Sequence, residues 1–266
     1  VPPDPSWAST EVACYTVPIT PTDWIAGPDN DEEEDSITDP VTIPLFDPAI
    51  GDLQQADITV KNNLDQTAGF ENLAITSAKA RTNTGGEIVT TLLDGTTQIV
   101  ATVETGTVTT NLPPFDGNKD YLPPSGFNYQ LIDSATEGHS VTGAALSAYI
   151  GAGETRELPT EAFGFLELGG TGNVVGQVLT NAGAEVCVKY YYIPKLDISG
   201  RKINDCTDEG LAGWEITLTK PGGATVTATT DSNGAYSSPA SHQAPIRYAR
   251  RLRPAGLPSE ERPARL

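Results

Sequence analysis

The chain of 266 residues contains no methionine and has only two histidines and three cysteines. Each shortage excludes something. Without Met at position 1, Val1 is expected to be a processed terminus, and removal of a secretory signal peptide is the simplest cause. No apolar run approaches the length needed to cross a bilayer, so no transmembrane segment is expected. His139, His242 and the cysteines fall into no zinc-ligand spacing, and neither histidine is marked as the base of a Ser-His-Asp set. A phosphate-binding G-x-x-x-x-G-K-[ST] loop is missing, and Gly169-Gly170-Thr171-Gly172 reads as a turn. Basic residues are scarce: 16 Lys and Arg stand against 35 Asp and Glu, a net charge of −19. That charge repels nucleic acid and anionic lipid, so neither is expected as a partner. It suits a hydrated exterior, divalent cations or a salty medium.

Helical periodicity is missing as well, since no stretch repeats apolar residues every 3.6 positions. What the sequence has instead is Thr and Val in alternation, punctuated by 26 Gly and 21 Pro. β-Branched residues suit pleated strands, and 105–110 places apolar groups on one face and hydroxyls on the other. Strands are predicted over 41–46, 52–61, 73–80, 87–93, 98–110, 140–146, 158–167, 173–180 and 185–193. Gly-Gly, Asp-Gly, Pro-Pro and Asn-Ala-Gly supply the turn signals between them. The fold class is therefore all-β: a β-sandwich of about nine strands over residues 1–194, with an acidic loop at 28–36. Past Pro194-Lys195, which reads as a hinge, residues 195–237 read as a second unit of alternating strands, with a hairpin signal at Asn233-Gly234. Residues 238–266 break the composition abruptly: they hold six of the nine arginines, and their +4 leaves −23 on residues 1–237.

Export permits disulfides. Cys14 and Cys187 both sit in alternating stretches near the two ends of one domain, and they are expected to pair. Closing a loop of that length is worth ~4–5 kcal/mol by chain entropy. Cys206 is then unpaired within the chain, or available for an intermolecular bond. The run 29–35 packs six carboxylates into seven residues. It reads as a solvated loop, with calcium on Asp29, Asp31, Glu33 and Asp35 as the functional alternative. The spacing lacks the glycine and terminal Glu of an EF-hand loop. Glu154, Glu157 and Glu161 are close in sequence and are the pair candidates for a glycoside hydrolase, although surface acids are the simpler reading. In Tyr190-Tyr191-Tyr192, a carbohydrate platform competes with core packing, which strand alternation favours.

Residues 198–237, "ISGRKINDCTDEGLAGWEITLTKPGGATVTATTDSNGAYS", resemble the prealbumin-like SdrD B-like and Cna B-type modules of prokaryotic surface proteins. The resemblance implies a small Greek-key sandwich used as a stalk or spacer. It places Asp205, Asp208 and Glu209 where some such modules hold calcium, and Lys202 where isopeptide-forming ones keep their lysine. Residues 37–194 resemble the choice-of-anchor E domain of exported prokaryotic proteins, through "IPLFDPAIGDLQQADITVKNNLDQTAGFENL", "FGFLELGGTGNV" and "VCVKYYYIP". That family implies a surface location and assigns no activity. The module family continues past Gly-x-Tyr-Ser with further strands, whereas this chain reads "SPASHQAPIRYARRLRPAGLPSEERPARL". Codons for that tail, read one base over, can spell "LTGLTPGTYTVCETSTPGW", which is what the modules place there. The tail is therefore expected to be a frameshifted replacement of the last strands, or disordered. The displaced frame contains a cysteine suited to Cys206.

No enzyme is expected. The reading is a secreted, extracellular structural protein, a self-assembling subunit of a cell sheath, surface layer or filament, joined by strand-edge pairing and disulfides. Its partners would be itself and other envelope components. Few charges interrupt strands such as 98–110, which suits amyloid-like edge pairing. The overall profile resembles the tubular sheaths of methanogenic archaea. No cofactor is expected beyond the calcium that these carboxylates would hold. The alternatives are an adhesin or carbohydrate-binding module on a stalk and, third, a carboxylate-pair hydrolase.

Overall fold

The computed structural model describes residues 9–26, 36–37, 40–219, 225–241 and 247–248. Two compact units emerge: Thr10–Pro48 with Leu53–Tyr191, and Val1–Ser9, Ala49–Asp52 with Tyr192–Leu266. In chain order the strands are β1 (Ser9–Pro21), β2 (Trp24–Ala26), β3 (Ser36–Ile37), β4 (Thr42–Pro44), β5 (Gly51–Asn72), β6 (Ala78–Thr91), β7 (Gln98–Glu104) and β8 (Val108–Leu112). They continue with β9 (Gly126–Thr142), β10 (Thr155–Glu157), β11 (Thr160–Thr171), β12 (Val174–Arg201), β13 (Glu215–Thr219), β14 (Thr225–Thr229), β15 (Ala235–Ser241) and β16 (Arg247–Tyr248). The one helix among the described residues is a 3₁₀ segment, Gly143–Tyr149. The fold is all-β, made of antiparallel sheets packed together.

In the larger unit, strand period dictates the core. Along β5, Ala56, Ile58, Val60, Asn62, Leu64, Gln66, Ala68 and Phe70 are all buried, every second residue facing the interior. The same parity buries Ala80, Thr82, Thr84 and Ile88 of β6, and Ala182, Ala184, Val186, Val188 and Tyr190 of β12. One sheet runs β1-β12-β5-β9, and the other runs β3-β2-β11-β6-β7 with β8 also on β6. Their inner faces meet through these residues. Two buried side chains of β5 are polar, and they reach across the sandwich. Asn62 Nδ2 donates to the Gly86 and Ala101 carbonyls at 2.9 and 3.0 Å. Gln66 Nε2 donates to the Gly85 carbonyl and to Thr180 Oγ1, both at 2.7 Å. Trp24 Nε1 ties β2 to the Ala182 carbonyl of β12 at 3.1 Å. Tyr190 donates to the Pro44 carbonyl at 2.8 Å and packs edge-on against Phe46, so it is a core residue.

Several strand limits differ from the sequence reading, for identifiable reasons. β5 continues past Lys61, where the inward amide nitrogens of Asn62 and Gln66 find acceptors although their carboxamide oxygens have none among the described residues. Residues 73–77 are loop. Gly85-Gly86 and Gly183 lie inside strands and are not turns. A Cβ on Gly183 would meet the Val17 carbonyl and the Ile19 amide at 2.9 Å, and one on Gly86 would meet Leu64. These glycines admit close neighbours. Residues 98–110 split into β7 and β8 at Thr105–Thr107, where Gly106 has φ 64°. Residues 140–146 are divided between the end of β9 and the 3₁₀ segment, and Gly169–Thr171 belongs to β11. β9, which carries His139, starts at Gly126, well before the strand expected from residue 140, and pairs with β5 from Gly126 to Thr142.

In the second unit, Lys195–Arg201 of β12 pairs antiparallel with β15. β13 pairs with all of β14 but with β16 only at Leu218 and Thr219. Buried Thr230 donates to the Leu211 carbonyl at 2.6 Å and accepts from the Trp214 amide at 2.9 Å. Asn233-Gly234 forms a turn, yet among the described residues β14 and β15 are not paired with each other. The Gly234 carbonyl accepts instead from the Lys202 amide at 2.7 Å, which aligns β15 with β12. Lys202 Nζ lies 5.4 Å from the Trp214 ring centroid.

The crossing carboxamides give the first prediction. Gln66→Leu leaves the Gly85 carbonyl and Thr180 hydroxyl without this donor and is expected to cost about 1–3 kcal/mol in urea unfolding. Gln130→Leu, on an exposed position, should stay within about 0.5 kcal/mol of wild type.

Candidate functional site

The expected disulfide is present. Cys14 on β1 and Cys187 on β12 are joined across 173 positions of sequence, on adjacent strands. The Glu185 carboxylate lies 3.5 Å from Cys187 Sγ. Among the described residues, Cys14, Glu185 and Cys187 are the group of three whose donor atoms lie within 4.8 Å of one another. With both sulfurs in a disulfide, no thiolate is left to bind a metal. A structural disulfide of this kind belongs to an oxidising compartment, which places the protein outside the cytoplasm.

Cys206 is free and exposed. It sits in the turn between Ile203 and Gly210, with Asp205, Asp208 and Glu209, all exposed. Asn204 Oδ1 accepts from the Cys206 amide at 2.9 Å, the Asp208 amide donates to the Asn204 carbonyl, and Asp208 takes φ 55°. The three carboxylates share one tight turn but do not converge as closely as the disulfide group does. Asp29, Asp31, Glu33, Asp35 and His242 lie outside the described residues. Glu154, Glu157 and Glu161 are dispersed: Glu154 pairs with Arg156 at 3.5 Å, Glu157 is exposed on β10, and Glu161 stands on β11 opposite Ile25 and Val89.

The sequence reading missed a cleft. The β6–β7 turn, the end of β9 and the 3₁₀ segment enclose about 370 Å³ lined by Leu92, Asp94, His139, Ser140, Val141 and Tyr149, among others. The turn chemistry that positions Asp94 is local. Its carboxylate accepts from the Thr96 and Thr97 amides at 2.8 Å and from the Thr97 hydroxyl at 2.6 Å. These bonds, led by the Thr97 hydroxyl, lower its pKa from 3.8 to about 2. Burial pushes the Tyr149 phenol up. Ser147 donates to the Ala144 carbonyl at 2.9 Å, within its own segment. No hydrogen bond among the described residues joins His139 to Asp94 or to either serine. Asp-Gly-Thr-Thr was readable as a turn; the cleft was not, because its walls come from distant segments.

A buried acid, Glu71, has a structural task. It accepts from the Ser125 hydroxyl at 2.5 Å and the Tyr121 amide at 2.8 Å, holding the long 113–125 connection to the end of β5.

Comparison with known proteins adds no relative. No family model matches the chain, and no curated protein matches it. Among solved structures, that of infectious bursal disease virus Gx strain aligns over 70% of this chain at 13% identity, with a TM-score of 0.12. The chain spans 41% of that protein's length. A similarity so low supports no inference of fold or function.

Two predictions follow from the site chemistry. Removing the disulfide with Cys14→Ser and Cys187→Ser together should lower stability by about 5 kcal/mol, from the loop-closure entropy released to the unfolded chain. Guanidinium unfolding under oxidising and reducing conditions measures it, and the wild-type protein alone should respond to reductant. For Asp94, the folded pKa is depressed, so its contribution is complete above the ordinary value of 3.8 and is lost as pH falls through about 2. Wild type and Asp94→Asn should therefore differ by a constant amount above about pH 5 and converge toward about pH 2, followed by thermal unfolding.

Proposed function

We propose that the protein is a non-enzymatic extracellular structural protein whose copies assemble into a cell sheath, surface layer or filament. The observation that supports this reading most directly is the state of the sheet edges. Among the described residues, β1 and β9 end one sheet, β7 and β8 end the other on one side and β3 on the opposite side, and β11 is covered by β2 only over Thr160–Ala162. Unpaired strand edges are templates for pairing with another chain. Thr- and Val-rich strands with few charges, such as β7 with Glu104 alone, suit that use. The exposed thiol of Cys206 is suited to an intermolecular disulfide, and the acidic surface would keep such an assembly hydrated.

The resemblance of residues 198–237 to prealbumin-like stalk modules, and of residues 37–194 to an exported anchor-bearing domain, points the same way. So does the likeness in profile to methanogen sheaths. In this reading the partners are further copies and other envelope components, with nucleic acid excluded by charge. Calcium would bridge surface carboxylates.

The cleft at Asp94 and His139 favours one second reading, a carbohydrate-binding surface module. It holds carboxylate, imidazole and hydroxyl groups beside the apolar Leu92 and Val141. Negative-stain electron microscopy of the purified chain, with and without calcium, separates the two. Sheets, hoops or fibres are expected. A monodisperse particle at every concentration, together with glycan binding abolished by His139→Ala, would transfer the function to the cleft.

A further inference from the structure

The edges are not equivalent, and their differences identify a seam. β1 carries Pro18 and Pro21, and proline blunts an edge by removing a backbone donor. β9 is guarded in another way. The register pairs Asp133 with Leu64, Glu137 with Val60 and His139 with Ile58, so these polar residues share the face of buried apolar ones while remaining exposed. Inward-facing charge of this sort blocks addition of another strand. On the other sheet, the β7/β8 edge is interrupted at Thr105–Thr107.

β11 has no such device beyond its third residue. β2 pairs with it only at Thr160, Glu161 and Ala162, and the cover ends where the Asp23 carboxylate accepts from the Gly164 amide at 2.9 Å. That bond also shows which way the backbone groups point. Alternate residues of an antiparallel strand direct N–H and C=O to opposite sides, so Leu166 and Leu168 face the same way as Gly164, away from β6. Neither has a ladder partner there among the described residues. From Phe163 to Thr171 the segment Phe-Gly-Phe-Leu-Glu-Leu-Gly-Gly-Thr holds one charge, Glu167, and no proline. Phe163 and Leu168 are 39% and 37% exposed.

We infer that the Gly164–Gly170 edge of β11 is the contact between two copies of this chain, each adding its β11 antiparallel to the other. This rests on the self-association reading above and names its seam. The occupant follows from complementarity. An antiparallel copy aligned about Glu167 sets Leu166 of one chain against Leu168 of the other, in both directions, so the apolar residues meet on one face. The same alignment places the two Glu167 carboxylates opposite each other on the other face. The contact is thereby weakened by like charge, and it should tighten when that charge is removed.

Sedimentation velocity on the full chain tests this, with far-UV circular dichroism to confirm folding. Leu168→Pro removes only an outward N–H, which an edge strand tolerates, and Leu168→Lys places a charge on the seam. Both are expected to be folded and to lose the dimer. Glu167→Gln is expected to dimerise about two- to fivefold more tightly, the effect of relieving one like-charged cross-strand pair. If folded Leu168→Lys associates as wild type does, or Glu167→Gln weakens the dimer, the β11 seam is wrong while self-assembly stands. If wild type remains monomeric at every concentration and forms no assemblies by microscopy, the seam and the structural reading fail together. Should Leu168→Pro not fold, Leu168→Lys and Glu167→Gln decide the matter.

Discussion

The larger unit depends on two carboxamides that cross its core. Asn62 and Gln66 of β5 bond the backbone carbonyls of Gly85, Gly86 and Ala101 on the opposite sheet. Buried amides are costly unless they are paired; here the amide nitrogens donate to groups whose positions are set by the ladder of the other sheet, while Asn62 Oδ1 and Gln66 Oε1 have no partner among the described residues. The bonds therefore fix the register of β5 against β6 and β7 more tightly than apolar packing would, because a side chain of Val or Leu tolerates sliding by part of a residue. Gly85 and Gly86 make the geometry available. A Cβ on Gly86 would meet the Leu64 side chain of the opposite sheet, so the sheets approach there because a side chain is missing; one on Gly85 would meet the Val103 carbonyl and the Phe165 ring of its own sheet.

This constraint also explains which parts of the fold were legible. The all-β class and the Cys14–Cys187 bond were, since alternation of Thr and Val and the placement of both cysteines in alternating stretches report directly on strands. The length of β5 was hidden by its chemistry. The reading stopped at Lys61 because Asn62 and Gln66 look like surface residues. Yet parity was in the sequence all along: Ala56, Ile58 and Val60 are followed at even positions by Leu64, Ala68 and Phe70, so 62 and 66 had to point inward if the strand continued. Likewise Gly85-Gly86 and Asn181-Ala182-Gly183 read as turns, though they mark places where a neighbouring backbone or side chain comes close. Most of β9 was missed for the opposite reason. An edge strand with most of its residues exposed has no burial pattern to impress on its sequence.

The candidate site was less legible than the fold. The cleft brings Leu92 and Asp94 from one turn together with His139–Tyr149 from a distant segment, and nothing in either sequence announces the other. Its one strong local signal, the Asp94 turn, is satisfied by Thr96 and Thr97 and so serves the hairpin first. Glu71 follows the same rule: a buried acid in a sequence of 35 acidic residues is inconspicuous, and its partners Tyr121 and Ser125 lie in a loop some fifty residues away.

What distinguishes structure from liability in a sandwich of this kind is how its edges end. A strand edge left open by accident would select for aggregation, and β1 and β9 bear the devices that prevent it, two prolines in one and inward acids in the other. Those devices cost local stability: a proline forgoes a hydrogen bond, and an acid on the core side forgoes apolar burial. Their presence on two edges makes their absence from β11 informative. β2 covers the first three positions of that edge and stops at a side-chain bond from Asp23, so among the described residues the cover ends there. The residues beyond, low in charge and flanked by glycine, are the stretch that a neighbouring strand could join with least desolvation of charge. The two-fold placement of Glu167 would hold that affinity down for as long as the like charges face each other.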